Sequence, residues 1–304
     1  MIKPNFFIIG AAKGGTTAIH NYLDQHPQIY MSANKEPHFL TFLGQDYQDF
    51  VGPGIHYWQK QIVDNIDDYR DLFETVNQEK AIGESSVYNL YYPQACQHIQ
   101  EYCPQAKLIA ILRHPAARAF SHHTYLLQYE REPLTNFAEA IQAETERINQ
   151  NWGPGWHYIQ AGFYFQQLKR YFDIFEQEQI KVVIYDDFAS NSTQVLQDIF
   201  QFLEVDTQFI PDLERKYNKS GLPKNPLLHQ VLTKHNPQLK SLVKTLVPQQ
   251  VYNQIKSTKQ ELVASNSYKP KLSTEMRQHL IDIYREDIIN LQSLINRDLS
   301  YWLK

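Results

Sequence analysis

Four segments of the chain are apolar almost throughout: "NFFIIG" (5–10), "KAIGE" (80–84), "KLIAILR" (107–113) and "IKVVIYDDF" (180–188). A strand with one wet face alternates apolar and polar residues. Unbroken apolar runs of this length predict strands buried on both faces, as in a parallel sheet. The segments between them change period. In "FYFQQLKRYFDIF", Tyr164, Phe165, Leu168, Tyr171, Phe172 and Phe175 recur at helical steps and share one helix face. Pro115 suits a first helical position, and "AARAFSHHTYLLQY" behind it reads as helix. The last third is helical in pattern and ends in a long segment from Ser273 to about Asn296.

Strands alternating with helices predict βαβ units and a three-layer α/β fold, a central, mainly parallel sheet flanked by helices. "NWGPGWHYIQAG" (151–162) is rich in Gly, Pro and Trp and reads as a surface loop over the ligand edge of the sheet. No repeat, low-complexity tract or linker interrupts the chain, so residues 1–304 are expected to form a single domain.

Composition narrows the class without naming it. The 304 residues are 42% hydrophobic and 20% charged, as in an ordinary globular protein. No apolar stretch approaches the roughly 20 residues of a membrane helix, and the N-terminal run is too short for a signal peptide. Cys96 and Cys103 stand about two helical turns apart, too far for a disulfide along one helix. They read as reduced thiols of a cytoplasmic protein, with too few neighbouring ligands for a metal site.

The net charge of −4 is unevenly spread. Residues 213–271 hold eleven Lys and Arg against two Glu, a net +9 that leaves −13 for the remainder. That segment is either a solvated surface or a basic wall facing an anionic ligand. The acidic balance of the rest argues against general nucleic-acid binding.

The chemistry begins where the first strand-like run meets "GAAKGGTT" and opens into a helical pattern. A phosphate-binding P-loop reads G-x-x-x-x-G-K-[ST]. Gly10, Gly15, Thr16 and Thr17 fit that frame, but Thr16 occupies the lysine position and the lysine stands inside the loop as Lys13. Gly14 and Gly15 let consecutive N–H groups converge on an anion at a helix N-terminus. Thr16 and Thr17 add hydroxyls. The usual cation for a β/γ-phosphate is displaced, so the loop should hold a shorter anionic group, with Lys13 close to one bridging atom. A magnesium site could restore the charge. "KLIAILR" ends in Arg113 rather than an aspartate, whereas "VVIYDDF" carries Asp186 and Asp187, which keeps a P-loop nucleotide kinase as a rival. A non-catalytic nucleotide-binding module is the other.

"GAAKGGTTAIHNYLDQHP", "NKEPHFL" and "LIAILRHPAARAFSHHTYL" together resemble the sulfotransferases that use 3′-phosphoadenosine 5′-phosphosulfate, in the branch of heparan sulfate sulfotransferases and their soluble bacterial relatives. The likeness runs on through "GFYFQQLKRYFDIFEQEQIKVVIYDDF" and "RKYNKSGLPKN" to "MRQHLIDIYREDIINLQSLINRDLSYWL", almost the whole chain. It implies a P-loop-like fold, a sulfonate donor, no metal, and an acceptor hydroxyl or amine on a carbohydrate, lipid or hydroxylated metabolite.

The resemblance also implies roles. Lys13 is the phosphosulfate-loop lysine that neutralises charge on the bridging oxygen of the leaving nucleotide. Gly14, Gly15, Thr16 and Thr17 cradle the 5′-phosphate. Arg113 and Ser121 converge on the 3′-phosphate, with Arg118 a surface or structural competitor. Glu36 stands at the catalytic glutamate, expected to act as general base with a pKa raised by burial. His38 is the alternative base or a substrate hydrogen bonder. His20 is expected to pack on the loop helix, and His122 and His123 to lie on the helix surface or pocket rim. Lys219, Ser220 and Gly221 match the nucleotide-covering segment. One departure stands out: Ser85 follows Glu84 where the heparan 3-O-type enzymes place a lysine. Trp152, Trp156, Tyr88 and Tyr91 could stack on sugar rings.

Overall fold

The computed structural model describes residues 2–214, 221–225 and 266–304. Its centre is a five-stranded parallel sheet in the order β2-β3-β1-β4-β5, formed by Phe6–Gly10 (β1), Ile29–Met31 (β2), Ala81–Ser85 (β3), Lys107–Leu112 (β4) and Ile180–Ile184 (β5). The apolar runs are strands for the reason their composition implies. Phe7 and Ile9 of β1, with Leu108, Ala110 and Leu112 of β4, enter one core layer; Phe6, Ile8, Ile109 and Ile111 enter the other. Helices Pro93–Tyr102, Pro115–Gln128, Tyr164–Phe172 and Thr274–Leu294 cover the first face, while Thr16–Leu23 and Ser192–Phe202 cover the second.

Three local readings need correction. The fourth apolar run stops being strand at Ile184, and Tyr185–Ser190 is already helix, so Asp186 and Asp187 lie in a first helical turn. Strand β2 has no signature in the sequence, because three residues are too few to show a period. The 151–162 segment is not a surface loop: short turns fold Pro154, Trp156 and Tyr158 inward, and Tyr158 is fully buried. Its backbone is anchored by the Glu144 carboxylate, which accepts the N–H groups of Ile159 (2.6 Å) and Gln160 (2.8 Å).

Cys96 sits in helix Pro93–Tyr102 and Cys103 caps it; both are free and buried. Burial pushes their thiols up to about 12 and about 11 respectively, so neither is a ready nucleophile.

Because β1 lies between β3 and β4, the chain leaves it first toward one sheet edge and later toward the other. The crevice beyond the carboxyl ends of such strands is where open α/β sheets bind ligands.

Candidate active site

The loop after β1 is built by close backbone approach. A Cβ at Gly14 would lie 2.3 Å from the Ile111 carbonyl oxygen of β4, and one at Gly15, where φ is +110°, would lie 3.1 Å from the Tyr185 ring. The approach at Gly14 excludes any Cβ, and the left-handed φ of Gly15 favours glycine there. Helix Thr16–Leu23 then begins at Gly15 with no side-chain cap. The Ala18 N–H already bonds the Gly15 carbonyl at 3.0 Å; the N–H groups ahead of it are those an α-helix leaves without an intrahelical acceptor, the arrangement that accepts an anion. Thr16 is buried, Thr17 half-buried, and both line the cavity the loop faces.

Lys13 occupies the left-handed region at φ 66°, and its ammonium sits 3.9 Å from the centre of the Tyr125 ring. Burial lowers its pKa to about 8, against the opposing pull of Glu36 and with help from the positive charge of Arg113. Arg113 follows β4 directly, and its guanidinium lies 4.9 Å over the Tyr185 ring. Among the described residues it makes no ion pair, although its backbone carbonyl accepts the Tyr164 hydroxyl at 3.0 Å. Ser121, on helix Pro115–Gln128, lines the same cavity.

The cavity has a volume of about 800 Å³ and brings Lys13, Gly15, Thr16, Thr17, Glu36, Arg113 and Ser121 onto one wall system. Lys269 and Arg277 join Arg113 in that lining. Trp58, Tyr88, Tyr125, Tyr129 and Trp156 line it too, with Arg131. Arg131 packs against Gly54, whose added Cβ would stand 3.4 Å from its Nε.

Glu36 arrives from the loop after β2. Its backbone N–H bonds the Ser85 carbonyl at 2.8 Å, and it too is left-handed at φ 68°. Burial would push the Glu36 carboxyl up, but Lys35, whose ammonium donates to Oε1, and His38 outweigh it. The carboxyl is therefore held well below the usual carboxylate range, the opposite of the shift expected from burial alone. His38 lies behind Glu36 rather than in the cavity wall: it is 1% exposed, with Nε2 3.6 Å from Glu36 Oε2. That position removes the reading of His38 as a substrate hydrogen bonder.

Comparison with known proteins fits this loop-and-strand arrangement. A sulfotransferase family model matches residues 4–209. The chain belongs to the sulfotransferase family. A crystal structure of a sulfotransferase from Alicyclobacillus acidocaldarius superposes with a TM-score of 0.78 at 33% identity, covering 100% of both chains. Human carbohydrate sulfotransferase 15 is 23% identical over 251 residues, 66% of this chain and 44% of its own length. Human heparan sulfate glucosamine 3-O-sulfotransferase 5 is 27% identical over 206 residues, 66% of this chain and 54% of its own. The matches thus span about half the length of the curated relatives.

Within this sulfotransferase fold the remaining candidates separate. His20 packs on the loop helix as expected, its Nδ1 2.9 Å from the buried Ser85 Oγ, and burial lowers it to about 4. His122 and His123 are both buried rather than surface residues. His123 Nε2 meets the Leu134 carbonyl at 2.9 Å, whereas His122 lines the cavity with its Nδ1 unpartnered. Arg118 is fully buried and structural, donating from Nη2 to the Tyr158 carbonyl.

Asp187 pairs with Arg297 through two 3.0 Å bonds, and Asp186 accepts the Trp302 indole N–H at 3.3 Å. Neither lines the cavity, which their neighbours Tyr185, Phe188 and Ala189 do. That orientation and the family membership overturn the kinase alternative. Among the described residues no cluster of three or more His, Cys, Asp or Glu is placed to hold a metal, and no helix is long and apolar enough to cross a membrane.

Tyr88 and Trp156 reach the cavity, while Trp152 and Tyr91 do not. Tyr91 instead bonds His157 Nδ1 at 2.8 Å. Gly221 is buried and does not line the cavity. Lys219, Ser220 and most of the basic 213–271 segment lie outside the described residues.

Proposed function

We propose that the chain moves a sulfonate group from 3′-phosphoadenosine 5′-phosphosulfate to a hydroxyl, or an amine, of a carbohydrate, lipid or hydroxylated metabolite. Family membership carries the reaction type; the donor rests on the site. The observation that supports it best is the convergence on one cavity of two cationic anchors, Lys13 and Arg113, each without an ion pair among the described residues, with the uncapped helix start at Gly15. Two separate phosphates on one nucleotide fit two separate anchors.

The bound donor supplies a sulfonate on a good leaving group; the residues supply position and charge. Gly14, Gly15, Thr16 and Thr17 hold the 5′-phosphate, and Arg113 with Ser121 holds the 3′-phosphate. Lys13 neutralises charge on the bridging oxygen as the nucleotide departs. Glu36, ionised at neutral pH, takes the proton of the acceptor hydroxyl. The aromatic wall of Trp58, Tyr88, Tyr125 and Tyr129 favours an acceptor that presents a ring or apolar face beside that hydroxyl.

Ligand-dependent melting tests the donor. Adenosine 3′,5′-bisphosphate should stabilise the protein more than ADP at equal concentration, without Mg²⁺; at 100 times the dissociation constant the gain is about 2.7 kcal/mol. Equal stabilisation by the two nucleotides would contradict the assignment.

A further inference from the structure

Behind Glu36 lies a chain of buried polar groups that direct transfer does not use. His38 Nδ1 is 3.2 Å from Thr41 Oγ1, and Thr41 Oγ1 is 2.6 Å from Asn89 Oδ1. Asn89 Nδ2 is 3.3 Å from Glu84 Oε1, and Ser86 Oγ bridges Glu84 Oε2 (3.2 Å) to the His38 backbone N–H (3.0 Å). Thr41 and Asn89 are fully buried, and Glu84 is 1% exposed. The ring of His38 is enclosed by Phe42, Trp58 and Tyr88 at centroid distances of 5.8, 5.7 and 5.3 Å.

The distances set the direction of each bond. A separation of 2.6 Å belongs to an O–H donor rather than an N–H donor, so Thr41 donates to the Asn89 carbonyl oxygen. The amide nitrogen is thereby turned to Glu84. Threonine has one proton to give. With that proton on Asn89, the bond between Thr41 and His38 can only be donated by His38 Nδ1–H. The neutral imidazole then carries its lone pair on Nε2, the atom facing Glu36 at 3.6 Å, which has no hydrogen-bond partner.

We propose that Thr41 and Asn89 are positioning residues that lock His38 in the Nδ1–H tautomer, leaving Nε2 free to receive the proton that Glu36 takes from the acceptor. The proposal rests on the reading of Glu36 as the base. The acceptor O–H bond breaks, its proton passes to the Glu36 carboxylate and on to His38 Nε2, and the electron pair stays on the acceptor oxygen. That oxygen forms the new bond to sulfur while the bond from sulfur to the leaving phosphate oxygen breaks. In the resulting imidazolium Nδ1–H donates to Thr41 Oγ1, and Nε2–H faces the Glu36 carboxylate at an ion-pair separation of 3.6 Å. The proton returns through Glu36 to water when product leaves.

The charges around the pair fit a temporary store. With His38 neutral, Lys35 holds the Glu36 carboxyl low against burial, which makes it a weak final proton sink. Burial lowers His38, Glu36 raises it and Lys35 lowers it, so the imidazolium is favoured only while Glu36 faces it as a carboxylate. Glu84, on the far side of Asn89, is pushed up to about 8 by burial, although its bonds to Ser86 and Asn89 oppose this. It sits beyond the amide and does not touch the ring.

¹⁵N NMR of histidine-labelled protein, with His38 assigned by His38→Gln, tests the tautomer directly. The wild type should show a protonated Nδ1 and a bare Nε2 at neutral pH; an Nε2–H tautomer would overturn the proposal, whatever the role of Glu36. Thr41→Val should lose that signature and lower kcat about 10-fold with donor KM unchanged. Thr41→Ser should restore both. Full kcat in folded Thr41→Val would also overturn it. Full activity in Glu36→Gln would instead sink the general-base reading while leaving the tautomer result intact.

Discussion

Lys13 and Tyr125 form a cation–π pair, with the ammonium 3.9 Å from the ring centre. Tyr125 lies on helix Pro115–Gln128, one turn beyond Ser121. The lysine is thereby aimed by the same helix that carries Ser121, the hydroxyl proposed for the 3′-phosphate. An ammonium at this separation gains about 0.5–2 kcal/mol from an aromatic face, enough to hold an otherwise mobile side chain.

The first expectation follows from the pKa of about 8 that burial imposes on Lys13. Below that value the amine is charged; above it the charge is lost. The kcat/KM profile of the free enzyme should therefore fall as pH rises through about 8. Lys13→Arg keeps its charge at all accessible pH values and should abolish this limb, at some cost in rate from altered geometry. A wild-type profile flat to about pH 10 would count against Lys13 as the group that must be charged.

Arg113→Ala should remove the preference for a 3′-phosphate while leaving the loop that holds the 5′-phosphate. A charge-assisted hydrogen bond contributes about 1.5–3 kcal/mol, so bisphosphate affinity should fall roughly tenfold to a hundredfold while ADP affinity changes little. Isothermal titration with the two nucleotides gives the ratio. Parallel losses for both would place Arg113 elsewhere in the pocket.

Glu36→Gln keeps the shape of the side chain and removes the base. Turnover should drop by roughly 10²-fold or more, with bisphosphate affinity nearly unchanged. Because Glu36 is ionised far below neutrality and burial lowers His38, wild-type kcat should show its acidic limb below the range near pH 6.5 that an ordinary histidine base would give. Stopped-point assays across pH distinguish the two.

A stability test lies away from the cavity. Arg147 donates to both oxygens of Glu132 at 2.9 and 2.7 Å, and the side chains are 5% and 0% exposed. The Tyr158 hydroxyl donates to the same carboxylate at 2.5 Å, tying the pair to the buried 151–162 turns. Arg147→Met leaves a buried carboxylate without its cation and should cost about 3–5 kcal/mol in urea unfolding. Adding Glu132→Gln should recover part of that loss, since the stranded charge is gone. An additive double mutant would mean that the two residues do not act as a pair.

The sequence was most informative where one local rule decides the outcome. Each of the four apolar runs begins as a strand of the parallel sheet, and "GAAKGGTT" does stand between a strand and a helix, as an anion loop would. The resemblance carried Arg113, Ser121 and Glu36 to one site, and they do line one cavity. Features made by tertiary contact were not legible. His38, Thr41 and Asn89 meet across two segments forty-eight residues apart, Thr41 to Asn89, and no spacing signals it. The sign of the Glu36 shift depends on where the Lys35 side chain turns, which burial-based reasoning misses. The 151–162 segment has a loop's composition, yet the Glu144 carboxylate satisfies its backbone and lets it sink.

Lys13, Glu36 and His38 share a backbone trait: all three are non-glycine residues in the left-handed region, at φ 66°, 68° and 53°. Each such residue costs about 1 kcal/mol or more, a penalty glycine avoids. Glycine would relieve that backbone cost at each position, but it would remove the side chains on which the proposed chemistry rests. Selection for thermal robustness alone would erode the site first, so heat-hardened variants obtained without an activity screen should accumulate their losses here.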